Sequence, residues 1–127
     1  MGADLVAIYD RILALRGGRP VILRTSDYSI PWGPRETNRA CKHDAACVKC
    51  TETISAAIHQ AAASRKVPVA GLLDAFNGPT HDRDMPRKYI IDPDPIGATG
   101  VHPSSAGSAA IATVLANLGY EPVKPRA

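Results

Sequence analysis

Two short apolar runs set the limits on what this chain can become. Val21-Ile22-Leu23 follows Pro20, and Val67-Pro68-Val69-Ala70-Gly71-Leu72 follows a basic pair. Each comes directly after a segment of helical periodicity, so each predicts a short buried strand, over 21–25 and 67–72. Before the first run, Leu5, Ile8, Ile12 and Leu15 recur at helical spacing, with Asp4 at the start and Gly17 at the stop. Before the second, the pattern predicts a helix over about 48–65 with Ile54, Ala57, Ile58 and Ala61 inward. A last helix is expected from Ser104 or Ser105, with Ile111, Val114, Leu115 and Leu118 as its apolar face and Gly119 as its end. The order is helix, strand, helix, strand, helix. That order belongs to α/β proteins, whose parallel sheet is covered by helices.

Two strands are too few for such a sheet. Parallel strands are buried on both faces and rarely stand as a pair. The architecture therefore reads as an incomplete α/β unit of about two strands and three helices, which borrows strands from elsewhere or self-associates. The rest of the 127 residues is irregular. The stretch from Ser26 to Ala45 lacks a pattern for roughly 20 residues, which in a compact domain marks a functional loop. Asp74 to Pro95 is rich in turns, with Asn77-Gly78-Pro79 as a breaker, and 121–127 reads as a loose tail. One domain accounts for the length. Large apolar groups are scarce, with one Phe, one Trp and four Tyr, so the core rests on Ala-rich helix contacts.

A net charge of +3 is spread along the chain without a basic run carrying aromatics, which argues against nucleic acid as a partner. No apolar run reaches the roughly 18 residues of a membrane span. The amino terminus shows no export signal.

The chemistry concentrates in Gly97-Ala98-Thr99-Gly100-Val101-His102-Pro103-Ser104-Ser105-Ala106-Gly107. In open α/β sheets, ligands sit beyond the carboxyl ends of the strands. A histidine fixed by Pro103 just before a helix is suited to present its imidazole there as general base and acid. Ser26 ends the first strand on that side and is the best placed serine. Asp27 adjoins it, and Asp74 ends the second strand. Ser104, Ser105 and Ser108 are nearer to His102, but a capping serine gives its oxygen to backbone N–H groups. Asp92 and Asp94 lie in Asp-Pro-Asp-Pro, which reads as a rigid polar turn and alternatively bends in to orient His102. His59 and His81 read as solvated.

The block from Gly97 to Val123 resembles the last block of the SGNH, or GDSL-type, hydrolases, where the catalytic His and usually a Pro precede a small-residue helix. Val67 to Pro79 and Tyr9 to Ser29 resemble the elements just upstream in that family. The resemblance implies a three-layer α/β/α flavodoxin-like sheet. It implies hydrolysis of a small-molecule carboxylic ester through an acyl-enzyme, with His102 as the base and no metal or organic cofactor. The chain departs from the family in four places, one being the absence of its oxyanion Gly block. It has no Gly-Asp-Ser block. Thr99 stands where the family has its Asp, which leaves Asp94, then Asp92, to orient His102. Gly2-Ala3-Asp4-Leu5 keeps only a trace of the family's Gly-x-Asn-Asp block.

The expectation is thus the carboxyl-terminal half of an SGNH hydrolase. It would be completed by an amino-terminal half, or would form a homo-oligomer that recruits Ser26. The alternative is a non-catalytic α/β module that self-associates. Cys41, His43, Cys47 and Cys50 allow three states: a structural zinc site, one disulfide from Cys41 to Cys47 or Cys50, or free thiols. A disulfide would suit an exported protein, free thiols a cytoplasmic one.

Overall fold

The computed structural model describes residues 2–15, 17, 19–27, 45–81 and 103–124. The order of elements is α1 (Gly2–Leu15), β1 (Thr25–Ser26), α2 (Ala45–Ser64), β2 (Val69–Ala70), α3 (Leu72–Asn77) and α4 (Ser105–Asn117). The chain is a mixed α/β structure, mostly helical, with β1 and β2 paired in parallel. Thr25 is in register with Val69 and Ser26 with Ala70.

That register sorts the helices. Successive residues of a strand point to opposite faces. Val69 and Leu23 pack with Tyr9 of α1, Ala61 and Ala62 of α2, and Val67. Ala70, the next residue of β2, packs with Leu72 and Phe76 of α3 and with Ala110, Ile111, Val114, Leu115 and Leu118 of α4. The pair therefore has an α1–α2 face and an α3–α4 face. Leu23, Thr25 and Asp27 alternate onto the first; Arg24 and Ser26 alternate onto the second.

Helix ends follow from backbone chemistry. Gly17 and Gly119 take positive φ of 57° and 72° after α1 and α4, a conformation that costs glycine little. α2 ends differently. Lys66 adopts φ 57°, and the Val67 N–H reaches back to the Ala62 carbonyl at 2.9 Å, as in a Schellman motif.

The structure differs from the sequence expectation in four respects. The strands are shorter than the apolar runs. Val21 does not join β1; it forms an antiparallel bridge to Val123, with bonds of 3.1 and 2.8 Å. Val123 is buried and bonded to Val21, within the stretch that the sequence suggested as a loose tail. A fourth helix, α3, occupies part of what read as turns. Finally, α1 buries Tyr9 and Leu13, whereas Ile8 and Leu15 stand exposed at 52% and 68%. Tyr9 packs with Ala61 and Ala62 of α2, where small partners admit a large ring.

α4 is oriented by its far end. The Arg24 guanidinium donates to the carbonyls of Leu115 at 3.3 Å and of Gly119, and lies 4.0 Å over the Tyr120 ring. Arg24 precedes β1, so the last turn of α4 sits at the amino end of the pair. The helix has 13 residues, about 20 Å at 1.5 Å each, and its first turn lies at the opposite end.

Candidate functional site at the carboxyl end of the strands

The carboxyl end of β1 carries Ser26 and Asp27, and these neighbours have different fates. Ser26 is exposed, on the α3–α4 face. Asp27 is buried at 5%, on the α1–α2 face. Its Oδ1 accepts the N–H groups of Leu72 at 2.7 Å and Leu73 at 3.2 Å. Those are free donors of the first turn of α3, a place where a side-chain oxygen is normally required. Gly71, at the N-cap, has no side chain to supply one. Asp27 supplies it from the neighbouring strand. Its Oδ2 accepts from Ser55 Oγ at 3.0 Å and lies 3.3 Å from His59 Nε2. Ser55 and His59 are one helical turn apart on α2, so both side chains reach the same oxygen.

A second histidine lies beyond α3. His81, at φ 55°, has Nδ1 3.1 Å from Glu52 Oε1 of α2 and Nε2 2.7 Å from Asp74 Oδ1 of α3. Its side chain is 19% exposed. Burial pushes its pKa down, but the hydrogen bonds to Asp74 and Glu52 and their charges outweigh this, and the net shift is upward from 6.5. An imidazolium between two carboxylates can donate from both nitrogens.

At the other side of the site, Ser104 Oγ accepts the Gly107 N–H at 3.1 Å and caps α4. This is the structural role expected of a serine in that place. His102, Asp92 and Asp94 lie outside the described residues, as do Cys41 and His43. Asp74 is 68% exposed and committed to His81.

Two corrections follow for the sequence reading. Asp27 is not available to orient a catalytic histidine beside Ser26, because both of its oxygens are taken on the opposite face. His59 and His81 are not merely solvated; each has a carboxylate partner. The signal for His59 was present as Ser55 and His59 at helical spacing, but nothing in the sequence pointed to Asp27 as their common acceptor.

Cys47 is disulfide-bonded, and Cys50 carries a free, exposed thiol. A sulfur in a disulfide does not ligate zinc, so a three-sulfur zinc site is incompatible with this arrangement. Among the described residues no group of three His, Cys, Asp or Glu side chains is placed to hold a metal ion, and no helix is long and apolar enough to cross a membrane. No protein-family model, curated protein or solved structure matches the chain.

Proposed function

We propose that this chain contributes the acid–base half of a serine hydrolase acting on small-molecule carboxylic esters, with His102 as general base. One observation carries the reading. Ser26 is in register with Ala70, whose side chain packs against α4, so Ser26 lies on the α4 face at the carboxyl end of β1. Arg24 and Tyr120 fix the opposite end of α4, which directs its first turn, with Pro103 and Ser104 before it, toward that same end of the pair. The helix-covered faces of the pair also support a three-layer α/β/α flavodoxin-like arrangement completed by further strands.

The chemistry is acyl transfer. His102 takes the proton from a serine hydroxyl as its oxygen attacks the ester carbonyl carbon. The alcohol leaves with that proton, and water then releases the acid from the acyl-serine. Ser26 is the serine of this chain best placed for attack. Since Asp27 is committed to α3, the carboxylate that orients His102 must come from elsewhere. Asp94, then Asp92, are the nearest in sequence. The reaction needs no cofactor. The disulfide at Cys47 favours an oxidising compartment.

The second reading is a non-catalytic module that self-associates. It is favoured by the open edges of a two-stranded sheet and by exposed Ile8, Leu15, Ile22 and Tyr120. One set of measurements separates the two. The hydrolase is labelled by a fluorophosphonate, with Ser26 as the mapped residue, and loses the fluorophosphonate-sensitive part of its p-nitrophenyl ester turnover in His102→Ala. An unlabelled protein, or unchanged turnover in that variant, refutes it. A concentration-independent monomer in sedimentation refutes the second reading.

A further inference from the structure

Asp27 and His59 form a pair with no part in the serine reaction, since they lie on the α1–α2 face and Ser26 on the other. We infer that His59 is a nucleophilic imidazole able to hydrolyse activated carboxylic esters without any serine, with Asp27 as its positioning residue. The inference is independent of the role given to His102.

The geometry is that of a held and directed ring. The Asp27 side chain is 3% exposed, and the His59 side chain 49%. Asp27 cannot swing away, because Leu72 N–H, Leu73 N–H and Ser55 Oγ–H all hold it. A carboxylate only accepts, so the facing His59 Nε2 carries the proton, and the lone pair of the neutral ring is on Nδ1. His59 makes no other hydrogen bond among the described residues, and half of its side chain meets solvent. His81, the other described histidine, has a carboxylate at each ring nitrogen and no nitrogen to offer.

The reaction balances without a further reagent. The Nδ1 lone pair attacks the ester carbonyl carbon. The bond from that carbon to the alkoxy or phenoxy oxygen breaks, and the electron pair leaves on the oxygen. Positive charge develops on the ring and is stabilised through Nε2–H by Asp27, the part a buried carboxylate plays beside a catalytic imidazole. Water then attacks the acyl carbon of the acyl-imidazolium, and the bond from that carbon to Nδ1 breaks with its electron pair returning to the ring. The proton lost from the water passes to the phenolate or to solvent, leaving the carboxylic acid and neutral His59. The phenolate leaves as the phenol or its anion according to pH. Among the described residues no side chain other than Asp27 hydrogen-bonds the His59 ring, so nothing there assists a poor leaving group. The substrate class is therefore esters of acidic alcohols, such as phenyl esters with small acyl groups.

The test uses the whole chain, p-nitrophenyl acetate and prior treatment with a fluorophosphonate. Turnover that survives the fluorophosphonate and falls at least tenfold in His59→Gln is the expected result, with a transient acetyl group on His59 by mass spectrometry. Turnover removed entirely by the fluorophosphonate overturns this inference and leaves the serine reading standing. Unchanged turnover in His59→Gln overturns it as well, and a protein with no turnover overturns both.

Asp27→Asn tests the positioning role. The amide oxygen keeps its place for the Leu72 and Leu73 N–H groups, while the amide N–H₂ faces His59 and shifts the ring proton to Nδ1. Turnover should drop to the level of His59→Gln, and the ¹⁵N signals of His59 should switch tautomer. Should the variant fold poorly, the wild-type ¹⁵N signals alone decide. Protonated Nε2 and unprotonated Nδ1 are expected at neutral ring charge, and the reverse refutes the arrangement.

Discussion

Asp27→Ala is the perturbation that bears most directly on how this site is built. Four groups face the two carboxyl oxygens, and they do not count equally. His59 is half exposed and returns to water when its partner goes. The Ser55 hydroxyl rotates and can find a carbonyl of its own helix. The N–H groups of Leu72 and Leu73 have no such escape. These residues are 7% and 1% exposed, and their amides belong to the first turn of α3, where no intrahelical acceptor exists. A buried donor left without an acceptor costs about 1–3 kcal/mol. Two of them, with little offset from the other two partners, give about 4 kcal/mol. That is a large part of the roughly 5–15 kcal/mol that holds a domain together. Asp27→Asn keeps an acceptor oxygen and should cost about 1–2 kcal/mol. The assay is urea unfolding of the wild type and both variants, with amide exchange at Leu72 and Leu73 as the local reading. Alanine within 1 kcal/mol of wild type, or alanine and asparagine alike, would refute the reasoning.

Three other outcomes are expected. His81 has a folded pKa above 6.5, so its bridge between Glu52 and Asp74 contributes in full below the unfolded value and fades as pH rises through the folded one. The stability difference between wild type and His81→Gln should shrink over that rise, and a difference that grows with pH contradicts the charged bridge. Cys50 should react with iodoacetamide in the native protein without reductant, and Cys47 only after reduction; peptide mass mapping reads both. The buried Tyr9 hydroxyl has no hydrogen-bond partner among the described residues, so Tyr9→Phe should be neutral or stabilising by up to about 1 kcal/mol in thermal unfolding.

How much of this was legible in the sequence depended on how local its cause was. Helix stops at Gly17 and Gly119 and the Ser104 cap could be read directly, because each is decided within one turn of chain. The alternation of α1, β1, α2, β2 and α4 and the parallel pairing were also legible, since they follow from periodicity. The strand limits were not. Val21 has the character of a sheet residue but bridges to Val123, a partner from the far end of the chain. The α1 face was misplaced for a related reason. Leu5 packs against the core as its spacing suggests, but Ile8 and Leu15 of the same series are exposed, and Tyr9 and Leu13 are the buried residues. α3 was hidden because its cap is not adjacent in sequence. Gly71 gave no start signal, and Asp27 supplies the oxygen from 45 residues away.

The same residue explains why the site must be read as two faces rather than one. A sequence that places Ser26 beside Asp27 at a strand end invites a shared catalytic role. Strand geometry forbids it, since adjacent side chains leave by opposite faces. Asp27 is spent on α3 and on the α2 side chains, so it can orient His59 but not a histidine that serves Ser26. Any serine chemistry on the α4 face must draw its acid from a residue other than Asp27. Any chemistry at His59 must proceed without Ser26. An experiment that alters Asp27 therefore cannot distinguish folding from catalysis on the Ser26 side, whereas His59→Gln alters only the α1–α2 face and His102→Ala addresses the proposed serine reaction. Measured together with the doubly substituted chain, their effects on ester turnover should be independent and additive in rate, with each histidine removing its own share. A double variant no slower than the worse single one would place both histidines in one reaction, and the division into faces would fail.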